Sequence, residues 1–574
     1  RNLQGASTIM EVFPREKPDR RFLPDIPSKG ATRRIYDTRY FSEGKADVYS
    51  EDGKYRYCSG NVVNLSQGGM LLSPDKKLRV GQKAMLRFFL NAGTLPEGYE
   101  SYVKLPATVV RVDSATGHAA FQFTQTITES LRRRRWRYFE AAALLGIMLT
   151  LVGVWFIKKE SIFYFWFDVP VFLYGLCALF YLLSRFFFAA LYRPYPTDVN
   201  FTPSVSIVVP CFNEEKWIER TVRGCLNQQY PEEFLEVIVV DDGSTDGSVA
   251  ALKAVRDKVY DEVGERLVIH VFPENRGKRH AMAAGARRAK GDVIVFVDSD
   301  SFLQPDSVLQ VVQPLKDQRI GAATGRCEVE NKWTNMLTRM QAVRYFVGFR
   351  IFKAAESIFD AVTCLSGPLA SYRRDVLMRY LDTWEHQTYL GQPATFGDDR
   401  SLTNYVLGSH YAVYQHTAVT HTIVPSAYDK FFSQQMRWKR SWLRESLRAC
   451  LFMWKKEPFM AISFYLGFLL PLLAPLVVLR AFVFMPLAYG IWPVTYIAGV
   501  FFMSMLMCTS YLFIKRSNLW FYGVPFCFFY LSILLWQIVW AVLTFWKSSW
   551  GTRPSHFDSK TQRAGQPSGK NAAN

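Results

Sequence analysis

Apolar and polar residues alternate over the first part of the chain, between residues 31 and 127. Short apolar runs such as 107–112 and 119–123 are separated by turns rich in Gly and Asn. Short alternating runs with turn signals between them are typical of half-buried β-strands. The pattern predicts a small β-barrel over residues 31–130, preceded by a polar, Pro-rich tail at 1–30.

Long apolar runs follow the predicted barrel. Runs at 139–157 and 166–191 predict two transmembrane helices, which together occupy residues 138–192. A transmembrane helix needs about 20 mostly apolar residues, and both runs approach or exceed that length. An arginine cluster at 132–137 precedes the first run, so the positive-inside bias places this end in the cytoplasm.

A second apolar region covers residues 458–554. Its first two spans are predicted at about 459–484 and 494–514, with a short turn between them. The polar residues after them, 555–574, are predicted to be a disordered tail. These two spans and the two before residue 192 give four spans in all.

The last apolar run, 519–546, has the length of a span but is not predicted to cross the membrane once. A single crossing would leave the basic residues after it outside, against the positive-inside bias. We expect an interfacial helix followed by a bent or re-entrant helix, interrupted near Pro525 or Gln537. Five spans with an external tail are the alternative.

Residues 200–425, between the two membrane regions, have the pattern of an α/β domain. Three continuous apolar runs of strand length lie at 205–209, 236–240 and 293–297. Such runs are typical of parallel strands covered on both faces, and helical patterns lie between them. The region predicts a doubly wound sheet.

Two segments near the membrane regions mix Trp, Phe, Arg and Lys at helical spacing, at 333–359 and 428–457. This composition favours amphipathic helices that lie in the membrane interface. Ordinary surface helices are the alternative for both segments. Residues 426–457 are predicted to be a separate region of interfacial helices.

Composition narrows the class of protein. The 574 residues are 49% hydrophobic and 16% aromatic, which excludes a disordered, collagen-like or coiled-coil chain. The nine cysteines include no CxxC pair, which argues against a zinc ribbon. The net charge of +19 is concentrated beside the predicted spans, so acidic lipid headgroups are a better partner than nucleic acid.

Two acidic motifs follow predicted strands. Asp241-Asp242-Gly243 comes directly after one strand, where ligands bind in open α/β sheets, although an Asx turn has the same sequence. Asp298 and Asp300 follow another strand, and we expect them to point the same way off it. Two such carboxylates can hold a divalent ion that bridges the phosphates of a nucleotide-sugar.

Three further motifs carry candidate chemistry. Gly397-Asp398-Asp399 supplies a carboxylate that could act as general base toward a sugar hydroxyl. The segment 434–438, QQMRW, offers an Arg for a diphosphate and a Trp for a sugar ring. The loop 275–279, NRGKR, places two cations after a Gly, which suits either phosphate binding or a solvated loop.

The order DDG, DSD, GDD, QQMRW over residues 200–555 resembles that of the processive family 2 glycosyltransferases, which include hyaluronan, chitin and cellulose synthases. The runs 391–404, 434–442 and 550–553 look most like hyaluronan and chitin-oligosaccharide synthases, whereas cellulose synthases usually carry TED in place of GDD. The resemblance implies a GT-A fold. It also implies inverting, processive synthesis of a β-linked polysaccharide from UDP-sugars and its passage through the enzyme's own membrane channel.

The resemblance also implies a role for each motif residue. Asp399 would be the catalytic base, with Asp398 beside it, and Asp298 and Asp300 would hold Mg²⁺ or Mn²⁺. The predicted nucleotide-binding residues are Asp241, Asp242, Lys278, Arg279, Asp298, Arg437, Trp550 and Arg553. The predicted acceptor-binding residues are Ser366, Gly367, Pro368, Gln434, Gln435 and Trp438.

The N-terminal barrel resembles a PilZ domain, a bacterial receptor for cyclic di-GMP. The family motif [D/N]xSxxG is present as Asn64, Ser66 and Gly69. The arginine motif ahead of the barrel is one residue longer than the family's RxxxR, with Arg33, Arg34 and Arg39 as its cations. The resemblance implies activation by cyclic di-GMP through these six residues, and a barrel used only for packing is the alternative.

Taken together, the sequence predicts a multidomain protein of the bacterial inner membrane with both soluble domains in the cytoplasm. The predicted product is hyaluronan-like or another GlcNAc-containing polymer, and the predicted partners are a UDP-sugar, the growing polysaccharide, the bilayer and cyclic di-GMP. A chitin-oligosaccharide, cellulose-like or mannuronan synthase remains an alternative. A catalytically dead, cyclic di-GMP-gated export or scaffold protein is the alternative from a different class. The oligomeric state is left open.

Overall fold

The computed structural model describes residues 40–41, 44–90, 101–113, 116–127, 130, 169–515 and 517–547. The described residues divide into two compact units. One contains the N-terminal strands together with residues 497–524, and the other contains residues 169–496 and 525–547. The predicted span at 139–157 lies outside the described residues.

The N-terminal strands form a closed antiparallel sheet with the order β1-β3-β2-β5-β6-β7-β4, in which β3 also pairs with β4. The strands are β1 (Tyr40–Phe41), β2 (Lys45–Tyr49), β3 (Arg56–Leu65), β4 (Gly69–Pro74), β5 (Lys83–Leu90), β6 (Ser101–Val112) and β7 (Ala119–Phe123). Alternate residues of β5, including Leu86 and Phe88, are buried in the interior. The predicted small β-barrel is confirmed.

A mixed eight-stranded sheet forms the centre of the second unit, with the order β10-β9-β8-β11-β14-β13-β17-β12. Its strands are β8 (Val205–Cys211), β9 (Leu235–Asp241), β10 (Leu267–Val271), β11 (Val293–Phe296), β12 (Ser301–Leu303), β13 (Ile320–Val329), β14 (Ala370–Arg373) and β17 (Tyr411–Thr422), while β15 (Thr388–Tyr389) and β16 (Gln392–Pro393) form a separate hairpin. The three apolar runs predicted as parallel strands are β8, β9 and β11, and they pair in parallel as neighbours. Every residue of β8 is buried, which explains its continuous apolar sequence.

The helices of this unit lie on the two faces of the sheet and beside it. They are α1 (Val169–Leu191), α2 (Ile218–Leu226), α3 (Ser248–Val263), α4 (Lys278–Arg288), α5 (Ser307–Val312), α6 (Met336–Phe346), α7 (Ala354–Ser357), α8 (Arg374–Glu385), α9 (Asp398–Leu407), α10 (Tyr428–Ala449), α11 (Pro458–Leu479) and α12 (Met485–Tyr489). Helix α13 (Val494–Lys515) lies almost entirely in residues 497–524, which belong to the first unit, whereas α15 (Trp536–Val542) and most of α14 (Gly523–Phe529) belong to the second. Short 3₁₀ or π turns lie at Glu232–Phe234, Gly264–Arg266, Gln313–Lys316, Val347–Lys353, Met453–Lys455, Arg480–Phe484, Asn518–Tyr522 and Tyr530–Leu534.

The segment 333–359 is more buried than an interfacial or surface helix would be. It consists of α6, the π turn Val347–Lys353 and α7. Seven of the eleven residues of α6 are buried, and Ala354 and Ala355 in α7 have no exposed surface. The basic-aromatic composition had suggested a lipid-facing surface, but most of this surface is covered by protein.

Three described helices are long and apolar enough to cross a membrane: Val169–Leu191, Pro458–Tyr489 and Tyr496–Lys515. The last two correspond to the spans predicted at 459–484 and 494–514. The predicted interruption of the run 519–546 is also present, because Asn518–Leu534 and Trp536–Val542 meet at a bend of 42°. Whether this bent pair crosses the membrane stays a prediction.

Candidate active site

The DDG motif and the NRGKR loop are joined through one carboxylate. Asp242 accepts hydrogen bonds from the backbone N–H groups of Arg276, at 2.8 Å, and Gly277, at 2.9 Å. Gly243 has φ +71°, and an added Cβ would lie 2.5 Å from the carbonyl carbon of Glu274. Only glycine tolerates both conditions, so the motif brings the two loops into contact.

Asp241 accepts hydrogen bonds from the backbone N–H of Ser244, at 2.9 Å, and from its hydroxyl, at 2.6 Å. The first of these reaches three residues along the chain, one more than in an Asx turn. Asp241 and Asp242 are both buried. The structure therefore shows how they build the loop at the end of β9, while their contact with a nucleotide stays a prediction.

The Lys278 ammonium pairs with the carboxylate of Asp298, across twenty residues of sequence. Burial opposes the charge on Lys278, but Asp298 and the more distant Asp398 and Asp399 outweigh it and raise the pKa of Lys278 above its usual value. The DSD and GDD carboxylates thus act on one ammonium group. Lys278 is the first residue of α4, directly after the strand-to-helix loop.

Asp298 and Asp300 lie in the turn between β11 and β12 and not on a strand. The expectation that strand alternation aligns their side chains was therefore wrong in its local geometry. Burial and Glu328 raise the pKa of the buried Cys327 thiol, and both carboxylates add to this shift, so they act on the same region. Asp300 also accepts a long hydrogen bond from the Thr422 hydroxyl, at 3.5 Å.

A divalent metal fits this donor set only in part. Within the part of the chain that the structure describes, no three His, Cys, Asp or Glu side chains come together as a metal site. Mg²⁺ is commonly bound by one or two carboxylates, with substrate phosphates and water as the remaining ligands. Asp298 and Asp300 match that arrangement, so they suit an ion that arrives with a nucleotide diphosphate.

The GDD motif begins a helix. Gly397 has φ +84°, and α9 starts at Asp398. A Cβ at Gly397 would collide with the Ser441 hydroxyl of α10, so this position needs glycine for space as well as for conformation. Asp399 is half-buried, and its Oδ1 accepts a hydrogen bond from the backbone N–H of Arg400 at 2.8 Å.

The other residue of the motif, Asp398, faces the protein interior. The guanidinium of Arg279 donates to Asp398 Oδ1 at 2.8 Å, and both side chains are at most 7% exposed. Arg279 also donates to the carbonyl oxygen of Trp384 at 3.0 Å, and the Trp384 indole N–H donates to the Asp398 carbonyl at 3.2 Å. Arg279, predicted to bind the nucleotide, and Asp398, predicted to lie beside the base, thus form a buried ion pair.

The predicted acceptor residues, Ser366, Gly367 and Pro368, belong to a loop that approaches the carboxylates of both Asp298 and Asp399. A Cβ on Gly367 would lie 2.7 Å from Asp298 Oδ2, so this backbone packs directly on the DSD turn. On the other side, the Cys364 thiol is 3.5 Å from Asp399 Oδ2. The loop therefore spans the distance from Asp298 to Asp399.

The QQMRW motif lies in the second and third turns of α10. The Trp438 ring is 40% exposed, and its centroid lies 6.4 Å from that of Tyr345. The Arg344 guanidinium lies 5.1 Å from the centroid of the same Trp438 ring.

The two glutamines of the motif each carry a buried polar atom. Within the described residues, Gln434 Oε1 and Gln435 Nε2 have no hydrogen-bond partner. The predicted nucleotide ligand Arg437 is half-buried on the same helix.

Some site residues were missed by the sequence, and others cannot be placed. Trp550 and Arg553 lie outside the described residues. Lys353 hydrogen-bonds Cys364 and Ser366, and Glu356 hydrogen-bonds Thr363, but the sequence assigned both residues only to a basic-aromatic helix. The one available signal was the pair of small residues between them, Ala354 and Ala355, since small residues permit close packing.

The PilZ motif forms the turn between β3 and β4. The backbone N–H of Ser66 donates to the Gly69 carbonyl at 2.8 Å. A Cβ on Gly69 would lie 2.5 Å from the Phe121 carbonyl of β7, which explains the glycine. Asn64 is half-buried at the end of β3, while Arg33, Arg34 and Arg39 lie outside the described residues.

Comparison with known proteins agrees with this architecture. Residues 206–381 match the glycosyl transferase family 2, and residues 33–141 match the PilZ domain family. A hyaluronan synthase from Streptococcus pyogenes is 36% identical over 281 residues, which are 48% of this chain and 65% of the relative. An N-acetylglucosaminyltransferase from Rhizobium leguminosarum bv. viciae is 37% identical over 255 residues, or 44% of this chain and 58% of that protein.

A solved mannosyltransferase from Pyrobaculum calidifontis, in complex with GDP-Man and Mn²⁺, matches 72% of this chain and 100% of its own with a TM-score of 0.47 and 22% identity. The matched segments cover less than two thirds of the length of both curated relatives. The family matches confirm the resemblances drawn from the DDG, DSD and NxSxxG motifs. The chain therefore contains a family 2 glycosyltransferase domain, and a PilZ domain precedes it.

Proposed function

We propose that the protein is a membrane-embedded, processive, inverting β-glycosyltransferase that builds a polysaccharide from UDP-sugars and passes it across the membrane. The observation that carries the proposal is the position of the loop 364–367. This loop contacts Asp399 through Cys364 and Asp298 through Gly367. A donor bound at Asp298 and an acceptor hydroxyl at Asp399 would then meet across a single loop.

In this proposal Asp399 takes the proton of the acceptor hydroxyl while that oxygen attacks the anomeric carbon of the donor sugar. One displacement with one base inverts the anomeric centre, and no covalent sugar-enzyme intermediate is needed. The backbone N–H of Arg400 holds one carboxylate oxygen of Asp399. The second oxygen, beside Cys364, is then the one that faces the acceptor.

The donor's diphosphate would lie near Asp298, Asp300 and Lys278. A bound Mg²⁺ or Mn²⁺ would neutralise charge that develops on the UDP leaving group. Lys278 adds a positive charge on the same side, and its raised pKa keeps it protonated at neutral pH. The loop closed by Asp242 and Gly277 holds Lys278 at the start of α4.

The growing chain would lie against α10. The exposed face of Trp438 suits stacking on a sugar ring. Gln434 Oε1 and Gln435 Nε2 are buried and have no partner within the described residues, and they would hydrogen-bond sugar hydroxyls once a bound chain gives access to them. Arg437, on the same helix, would contact the diphosphate.

The relatives support a polymer that contains GlcNAc, because they include a hyaluronan synthase and an N-acetylglucosaminyltransferase. We expect the purified protein with Mn²⁺ to release UDP from UDP-GlcNAc, either alone or only in the presence of UDP-GlcA. A requirement for both donors would indicate hyaluronan, and UDP-GlcNAc alone a chitin-like chain. Release of UDP from none of a panel of nucleotide-sugars would contradict the proposal and favour an inactive export or scaffold protein.

We further propose that the protein lies in the bacterial inner membrane, that both soluble domains face the cytoplasm, and that cyclic di-GMP raises activity. We expect cyclic di-GMP to bind in the micromolar range and to increase the rate of UDP release. Arginines suit phosphates and guanine faces, so Arg33→Ala combined with Arg34→Ala should remove both effects. Isothermal titration measures the binding of cyclic di-GMP, and a UDP-release assay measures the activity.

Two variants separate a loss of binding from a damaged barrel. Lys76→Ala, at an exposed position after β4, should leave binding unchanged. Asn64→Ala should weaken binding without changing basal activity. If the unaltered protein binds no cyclic di-GMP at these concentrations, the barrel is a structural module.

A further inference from the structure

Two charged residues one turn apart, Lys353 and Glu356, have no part in the mechanism above. Lys353 ends the π turn 347–353 and is 9% exposed, and Glu356 lies in α7 and is half-buried. Burying an ammonium and a carboxylate is costly unless each is hydrogen-bonded. Their partners therefore indicate what the two residues hold.

Both residues hold the same short loop. The Lys353 ammonium donates to the Cys364 carbonyl and, at 2.8 Å, to the Ser366 hydroxyl. The Glu356 carboxylate accepts from the backbone N–H of Thr363, at 2.9 Å, and from its hydroxyl, at 3.1 Å. Burial lowers the pKa of Lys353, and Cys364, Asp399 and Glu356 partly offset the shift, whereas Arg400 adds to it.

Helix α9, which carries Asp399, also hydrogen-bonds this loop. The backbone N–H of Leu365 donates to the Thr403 hydroxyl at 2.9 Å, and that hydroxyl donates to the carbonyl of Asp399 at 2.6 Å. The loop 363–366 is thus fixed at every residue. Its position relative to Asp399 depends on these contacts, because no regular secondary structure covers it.

The segment that carries Lys353 and Glu356 packs on α1, one of the membrane-span candidates. The Phe352 ring lies 6.2 Å from that of Tyr181, and the Phe359 ring lies 4.8 Å from that of Phe188. Interior packing of this kind transmits displacements, because it has few voids. The two charged residues therefore connect a membrane helix to the loop beside the base.

We propose that Lys353 and Glu356 are positioning residues that set the loop 363–367 at the distance from Asp399 and Asp298 at which a sugar hydroxyl, and not water, is the nucleophile. This inference rests on the proposed function. In transfer, the acceptor oxygen bonds to the anomeric carbon, the bond from that carbon to the UDP oxygen breaks, and Asp399 takes the acceptor proton. With water as the nucleophile, the same exchange of bonds gives free sugar and UDP.

The test compares Lys353→Met, which removes the ammonium, with Lys353→Arg, which keeps a cation able to reach both oxygens. We expect Lys353→Met to lower sugar transfer at least tenfold, and up to about 100-fold, because misplacing a reacting group by about 1 Å can cost that much. UDP affinity should change less than about twofold. Free sugar should rise at least tenfold relative to transferred sugar, and Lys353→Arg should recover most of the transfer.

Matched variants complete the experiment. Lys253→Met makes the same chemical change at an exposed position of α3 and should behave like the unaltered protein. Glu356→Gln weakens the hydrogen bonds that Thr363 donates to Glu356. It tests the same loop if Lys353→Met fails to fold. It should shift the ratio of free to transferred sugar in the same direction.

The outcomes separate this inference from the proposed function. An unaltered protein that consumes no nucleotide-sugar contradicts the proposed function. An active protein in which Lys353→Met and Glu356→Gln keep the normal ratio of free to transferred sugar contradicts the positioning role. A proportional loss of UDP affinity, transfer and free sugar in both variants would likewise overturn it, since that result indicates a general structural effect.

Discussion

Replacing Asp399 by Asn is expected to abolish polymer formation while UDP binding stays nearly intact. A general base contributes about 10²- to 10⁴-fold to the rate, and the amide of Asn cannot accept the acceptor proton. Asp399 is half-buried and close to Cys364, while its contact with the helix is a backbone hydrogen bond that an amide oxygen can also accept. Polymer yield and UDP affinity of the same preparation measure the two effects.

Asp375→Asn is a matched control, because Asp375 is also the second residue of its helix but is 62% exposed. It should have little effect on polymer yield. The comparison separates loss of the base from loss of a negative charge at a helix N-terminus. If Asp399→Asn weakened UDP binding as much as Asp300→Ala, Asp399 would instead belong to the metal and nucleotide site.

Replacing Arg279 by Met is expected to cause the largest loss of stability. The substitution leaves Asp398 charged and buried, and breaking a buried ion pair from one side costs about 3–5 kcal/mol. Arg279 also loses its hydrogen bond to Trp384, and its guanidinium lies 5.2 Å from the Trp384 ring. The thermal midpoint of the second unit, followed by tryptophan fluorescence with and without UDP, measures the change.

Two further variants identify the cause of that loss. Arg223→Met removes a surface ion pair between residues four apart, which is worth about 0.3–0.5 kcal/mol, and should barely move the midpoint. The double change Arg279→Met with Asp398→Leu should recover part of the stability, because no charge then remains buried. A variant Arg279→Met with a normal midpoint and lost UDP affinity would restore the direct nucleotide contact predicted from sequence.

The sequence predicted the strands of the catalytic sheet well, for a physical reason. Strands β8, β9 and β11 are covered on both faces, so their apolar runs are continuous and easily recognised. The barrel was predictable because alternate residues of strands such as β5 face its core. The structure brings Asp298 and Asp399 into contact with one loop, through Gly367 and Cys364, while the roles of these residues stay predictions.

Pairings between distant residues were not predictable in the same way. Arg279 and Asp398 are 119 residues apart, and no local pattern distinguishes an arginine that binds phosphate from one that pairs with an interior carboxylate. The burial of Lys353 was missed because a basic-aromatic helix has the same composition at a membrane interface and inside a protein. In both cases, the free-energy cost of burying a charge decides the position of the side chain, and that cost depends on tertiary contacts.

The contact between Gly397 and Ser441 has a mechanical consequence. The missing side chain of Gly397 lets the start of α9 rest directly on α10, with no clearance between them. Asp399 is two residues after Gly397 in α9, and Trp438 is about one turn before Ser441 in α10. In the proposed function, a displacement of α10 as the polymer advances by one sugar would be passed directly to Asp399 and would set its position for the next transfer.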